Sequence, residues 1–456
     1  MSPSTPLDRS REPAPGPVRD FDFPPVTSST LANGLGVRVA TMSRLPLVSI
    51  SMVLDAGEAG LPTGSAGLAV LSGGALDGGT QKRTGPELAE ALEGIGSGLS
   101  VHTGWDSTTV SLTCLAERKE EAMALLAEAL LQPAFPEPEV ERLRNQRLAA
   151  IRQRRMDPGT MADDAAAHFF YADESPYHRP LAGTPESVAP LGPAEILAFV
   201  ERHYHPGGSG LVVAGDVEVS EVKELAEAHF GSWKGAGEAD LDVTVAPRFT
   251  ERRILLVDRP GAVQSEIRIG QMGAARSTPH FFPLQVFNTV LGGAFTSRLM
   301  LNLREKQGFT YGVRSRLSLR RKAGPFSISA AVGTEVTAPA VREAFTELEG
   351  LISEGPTEDE VAGARDFIAG VFPLRLETAG QVSARIAELL VYGLPDDFFS
   401  SYRDRIREVT PEAARAAGQD VLRPGEMVVV VVGSVEGIRA PLEELELGPV
   451  EVVTPF

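Results

Sequence analysis

Apolar and polar residues alternate through Leu35-Gly36-Val37-Arg38-Val39-Ala40 and Val48-Ser49-Ile50-Ser51-Met52-Val53-Leu54, and a period of two predicts two strands. Helical spacing follows over 65–76 and 85–93, then strands at 99–102 and 108–115. Residues 117–131 gather Ala122, Leu125, Leu126, Ala129 and Leu130 on one face, which predicts an amphipathic helix. A longer helix is expected from about Pro138 to Met156. Glu139 and Glu141 stand early in it and Arg152, Arg154 and Arg155 late, the order the helix dipole favours. Helices at 160–171, 193–203 and 218–230, with a strand at 209–215, complete this stretch.

The order then repeats. His205-Pro206 followed by Leu211-Val212-Val213-Ala214-Gly215 is echoed by Arg423-Pro424 followed by Val429 to Val432 and Gly433, with nine residues from each Pro to each Gly. The strand Leu35 to Ala40 is matched by Arg253-Ile254-Leu255-Leu256-Val257-Asp258, about 218 residues on. Internal similarity at so long a period indicates a duplicated module, not a solenoid. Strands interrupted by pairs of helices predict an α+β fold: two homologous halves, each a mixed or antiparallel sheet covered by helices, forming a clamshell. The expected boundaries are a flexible leader at 1–26, an N-terminal half at 27–234, a small acidic linker at 235–248 and a C-terminal half at 249–456.

Composition narrows the function. With 43 Lys and Arg against 61 Asp and Glu, the net charge of −18 argues against nucleic acid, whose phosphates need clustered cations; it leaves room for attraction to basic peptides. No apolar run approaches the roughly 18 residues of a membrane helix. The N-terminal residues lack an apolar h-region, so the sequence as given predicts a cytoplasmic chain, or a periplasmic one if a signal has been removed. Single Cys114 lies in an alternating strand pattern and reads as a buried hydrophobe. Of the seven His, only His203 and His205 are closely spaced, on a turn without an acidic third ligand, so no metal site is expected. Arg320-Arg321-Lys322 reads as a solvated hairpin turn.

The segment Leu301-Asn302-Leu303-Arg304-Glu305-Lys306-Gln307-Gly308-Phe309-Thr310-Tyr311-Gly312 predicts a helix running into a glycine-marked turn and then a strand. A guanidinium and a phenol held about two helical turns apart can donate to a substrate carbonyl oxygen. Before it stands Leu291-Gly292-Gly293-Ala294-Phe295-Thr296-Ser297-Arg298-Leu299. Together with Asn33-Gly34-Leu35, Asp55-Ala56-Gly57, Pro176-Tyr177 with Gly183, and Phe199 through Pro206, these pieces make the chain from about 27 to 446 resemble the pitrilysin-type (inverzincin) zinc metallopeptidases.

That family carries an inverted signature, His-x-x-Glu-His, on a helix. Here the matching positions are Val70, Gly73 and Gly74, and the position of the family's third ligand, a Glu, holds Ala150. The resemblance is therefore to a non-catalytic member, such as the α-type subunit of mitochondrial processing peptidase and its bacterial heterodimeric counterparts. It implies a zinc-bearing homologous partner and a peptide or unfolded protein as substrate. Arg304 and Tyr311 would bind substrate carbonyls in trans, Gly292 and Gly293 read as a flexible loop flanking a peptide chamber or as a plain tight turn, and no metal is implied in this chain. The other reading is a structural scaffold built from the peptidase fold.

Overall fold

Five consecutive valines, Val428 to Val432, can be buried on both faces only inside a sheet, and each is at most 2% exposed. The structure, a computed structural model, describes residues 20–235 and 243–454. The strands are β1 (Thr27–Thr30), β2 (Gly36–Thr41), β3 (Leu47–Leu54), β4 (Ser100–Thr103), β5 (Thr108–Leu115) and β6 (Gly210–Gly215). The later set is β7 (Arg253–Asp258), β8 (Gln264–Met272), β9 (Val313–Leu317), β10 (Pro325–Gly333), β11 (Val428–Gly433) and β12 (Val450–Val453). They form two six-stranded sheets, ordered β1-β2-β6-β3-β5-β4 and β12-β7-β11-β8-β10-β9.

The duplication is plain in the pairing. β2 lies parallel to β6 and β3 antiparallel to it, just as β7 lies parallel and β8 antiparallel to β11. Only the outer edge differs: β1 joins β2 antiparallel, whereas β12 joins β7 parallel. The fold is α+β in two homologous lobes, as the periodicities predict.

One face of the first sheet carries its own lobe's helices, among them Lys119–Leu131, Pro193–His203 and Val219–Phe230. Its other face is covered from the opposite lobe. The helix Ala379–Tyr392 lies on β3 and β6, with Val382, Ile386 and Leu389 buried in one core with Ala40, Val53, Val212 and Ala214. Ser51 and Ser383 hydrogen-bond at 3.0 Å within this contact. The exchange is reciprocal: Pro158–Phe170 lies on β8 and β11, packing Ala162, Ala166 and Phe170 against Val428, Val430 and Val432. Glycines give both helices their close approach. A Cβ at Gly210 would stand 2.5 Å from Leu390, and one at Gly270 would stand 2.6 Å from the Phe170 ring.

Three local expectations change. Asp20 to Val26, within the expected leader, is docked: Phe23 is buried against Phe399, and Phe21 meets Phe372 edge to face. Residues 1–19 and, in the linker, 236–242 lie outside the described residues. The hairpin turn Arg320-Arg321-Lys322 is not simply solvated, because the N-terminal lobe offers it partners. The Arg320 guanidinium stacks on Trp105 and Tyr177, and Arg321 ion-pairs with Asp55, donates from its side chain to Val391 O and donates from its amide to the Asp106 carboxylate. Gly292 and Gly293 end a wide helical turn, Thr289–Gly293, and are not a loop; a Cβ at Gly292 would stand 2.5 Å from Ser315 N of β9. Among the described residues no helix is long and apolar enough to cross a membrane. Cys114 is buried in β5, and burial pushes its thiol up to about 11.

Candidate functional site

The short helix Leu68–Gly74 stands where the resembling family places two ligands and a general base, and Glu137–Arg154 runs beside it. Val70 is half-buried, Ala150 is exposed, and a Cβ at Gly74 would meet open space. Gly73 is different. A Cβ there would stand 2.6 Å from Thr103 Oγ1 and 3.1 Å from Val101, so the volume a glutamate stem requires is already filled. These residues do not fit a zinc ion, and no chemical step of this chain runs through one.

What steadies this helix is a buried carboxylate. Glu58 is inaccessible, accepts hydrogen bonds from the Gly67 and Ala69 amides, and faces the Arg179 guanidinium at 3.6 Å. Burial dominates and pushes its acid up to about 7, against the opposing pull of the Gly67 amide, Arg179 and the Ala69 amide. A carboxyl raised in the folded state above its unfolded value near 4.5 favours folding at low pH. That contribution, roughly 3 kcal/mol from the size of the shift, is lost as pH rises from about 4.5 through 7. Urea midpoints of the wild type and Glu58→Gln should therefore separate differently at pH 5 and pH 8. The wild type loses ground relative to the variant as pH rises, and a pH-independent difference would contradict this.

The segment carrying Arg304 is locked by its own backbone. The helix Met300–Lys306 closes with Gly308 in the left-handed region (φ 67°), where glycine carries no Cβ penalty. Gly308 N donates to Arg304 O at 3.2 Å, and Phe309 N donates to Leu303 O at 2.9 Å, a paired helix-ending motif. Thr310 Oγ1 then donates to Ala331 O of β10 at 2.7 Å and receives Gly312 N at 3.1 Å. The frame is rigid and the side chains are outside. Tyr311 is 96% exposed; Arg304 lies 4.7 Å over the Phe295 ring and pairs with Glu305 at 3.3 Å. Phe295 and Leu301 are also more than half exposed. Among the described residues no hydrogen bond joins Arg304 to Tyr311, and this chain alone does not enclose them.

Two groupings were not visible in the sequence. His168, Asp173 and His178 bring ligand atoms within 4.8 Å of one another, across a helix end and the following turn. Asp173 is already ion-paired with Arg248, which also donates to the His168 and Tyr171 carbonyls. A cation would have to displace that guanidinium. The second is a set of five arginines from four separate segments around one cleft between the lobes.

Comparison with known proteins follows this geometry. Residues 38–184 match the family model described as Insulinase (Peptidase family M16), and residues 190–367 match the one described as Peptidase M16 inactive domain. An uncharacterized zinc protease of Mycobacterium bovis is 29% identical over 429 residues, covering 91% of this chain and 96% of that protein. Another from Streptomyces coelicolor is 28% identical over 362 residues, covering 77% and 78%. A solved structure from Pseudomonas fluorescens, described as a peptidase M16 inactive domain, superposes with a TM-score of 0.84 at 25% identity, covering 90% of this chain and 98% of that one. A protease structure from Helicobacter pylori shares the fold with a TM-score of 0.83 at 20% identity, covering 90% and 100%.

Proposed function

The chain belongs to the M16 peptidase family, and on that premise we propose that it is the non-catalytic, substrate-binding subunit of a two-chain zinc metallopeptidase. One pairing of loss and retention carries the reading. Positions 70, 73, 74 and 150 hold no metal-donor atom, while Arg304 and Tyr311 keep a backbone frame built to present them outward. Exposed aromatic and apolar side chains clustered on a rigid surface are the mark of a face that another body covers.

In this reading a homologous partner supplies the zinc and the activated water. Arg304 offers a forked pair of N–H donors and Tyr311 an O–H donor to peptide carbonyl oxygens. Gly293, exposed at the end of its helical turn, leaves the chain path clear for extended substrate. The relatives' designation as zinc proteases supports proteolysis as the setting, and the filled volume at Gly73 supports assigning the metal to another chain.

The test is reconstitution. A homologous chain bearing an intact His-x-x-Glu-His signature is assayed with an unstructured fluorogenic peptide, alone and with this chain added. Hydrolysis is expected to rise well above the sum of the separate rates. Equal rates with and without this chain would favour a scaffold role, a reading that the reciprocal helix exchange, with its rigid two-lobed body, also accommodates.

A further inference from the structure

Between the lobes lies a cleft of about 820 Å³, within the size range of ligand sites. Its wall includes Arg276, Arg316, Arg320, Arg375 and Arg385, with Glu388 the single acidic side chain. Glu388 is already answered by Arg385. In a chain of net charge −18, this is a locally cationic chamber, the reverse of what bulk charge suggests about a peptide partner.

Two of these arginines feel a carboxylate only at a distance, Arg276 the Glu388 charge and Arg320 the Asp106 charge, with no direct ion pair to either among the described residues. Arg276 is only 6% exposed; its guanidinium lies 3.7 Å from the Phe281 ring centre and 4.8 Å from that of Phe398. Among the described residues its side chain makes no hydrogen bond and no ion pair. Arg320 stacks 4.8 Å over Trp105 and 4.3 Å over Tyr177, and its Nη1 is cut off from solvent with nothing to donate to. Arg276 N donates to Arg320 O at 2.7 Å, so the two side chains spring from adjoining backbone. Aromatic faces hold each guanidinium in place but do not satisfy its N–H donors. Burial lowers the pKa of both, and the charges of Glu388 near Arg276 and Asp106 near Arg320 offset that only in part.

We propose that this cleft is a carboxylate-binding subsite for peptide, in which Arg276 and Arg320 take an acidic side chain or a C-terminal carboxylate between their forks. A guanidinium presents paired donors that match a carboxylate's two oxygens, and binding supplies the directly hydrogen-bonded counter-charge that Glu388 and Asp106 give only at a distance. Phe281 and Trp105 provide apolar surface for the rest of the residue. Thr289 and Gly293 lie on the same wall, so the cleft adjoins the glycine turn that precedes the Arg304 helix. The choice of peptide as occupant rests on the substrate-binding role proposed above, whereas the anion preference rests on the arginines alone.

The experiment uses the full chain without any partner and reads fluorescence anisotropy of a labelled unstructured peptide ending in three glutamates. The free acid is compared with its C-terminal amide and with a version whose glutamates are glutamines. The glutamate free acid should bind at least tenfold more tightly than the glutamine peptide with its C-terminus amidated, which carries no carboxylate at all. Loss on amidation alone would assign the site to the terminal carboxylate, and no loss would assign it to side chains. Arg276→Met should weaken binding at least tenfold without lowering the melting temperature, because it removes an unpaired buried charge. Arg276→Lys, which keeps the charge but loses the fork, should recover only part of the affinity. If Arg276→Met does not fold, Arg320→Met carries the same expectation. Equal binding of the glutamate free acid and the amidated glutamine peptide, or indifference to both arginine variants, would overturn the proposal. So would binding of pyrophosphate with arginine dependence while the peptides fail to compete. Acidic-peptide binding without any partner-dependent hydrolysis would retain this subsite and refute the subunit role instead.

Discussion

Replacing Arg304 with Ala and Tyr311 with Phe together is expected to lower kcat/KM of the reconstituted pair by about 10²–10³-fold, the usual cost of losing donors aimed at a reacting carbonyl. The effect should fall mainly on kcat where the donors act on charge that develops during reaction, and on KM where they merely hold substrate. Folding should be indifferent. Tyr311 is 96% exposed and Arg304 makes only a stacking contact with Phe295 and a neighbouring ion pair, so the melting transition should move by no more than about 0.5 kcal/mol equivalent. Tyr311→Phe on its own isolates the hydroxyl, since the ring and its exposure are kept. Unchanged hydrolysis in the double variant would remove these residues from the mechanism, whatever the partner does.

The second large effect concerns the fold. Residues 27–234 expressed alone should fail to show a cooperative unfolding transition and should bind hydrophobic dye. Without Ala379–Tyr392, one face of β3 and β6 loses its cover, exposing Val53, Val212 and Ala214, and Ser51 loses Ser383. The same logic predicts that Ile386→Ala in the full chain costs about 2–5 kcal/mol. It should broaden or shift one transition shared by both lobes, because this side chain, fully buried in the C-terminal lobe's numbering, packs with residues of the N-terminal sheet. Co-expression with residues 249–456 should rescue the fragment. A sharp transition with native near-ultraviolet dichroism from 27–234 alone would show that the exchange is dispensable.

The sequence was informative wherever a local period carries the signal. Strand alternation placed β2, β3 and β5, and the valine run placed β11. The Pro-to-Gly echo exposed the duplication that the matching strand orders display. The helix Ala379–Tyr392 illustrates what a linear pattern omits: its apolar stripe announces that it is buried, but not which sheet buries it. The basic run at 320–322 hides its setting for a related reason. Its partners, Trp105, Tyr177, Asp55 and Asp106, all lie in the other half of the chain, and each is unremarkable alone. The cleft arginines are likewise scattered from Arg276 to Arg385, with no spacing that marks them as one group. The frame that carries Arg304 and Tyr311 is legible in the sequence because it is short-range, set by one helix end and one turn.

Two lobes that each wear the other's helix have the shape of a helix-swapped dimer spliced end to end. Such an architecture restricts how the gene can be shuffled. A crossover that imports one lobe from a diverged cousin would seat a foreign helix on a sheet it never met, with Leu390 against Gly210 and Phe170 against Gly270 as the first collisions to resolve. Inheritance should therefore favour the whole reading frame as the smallest tradable piece, even though its architecture is written twice.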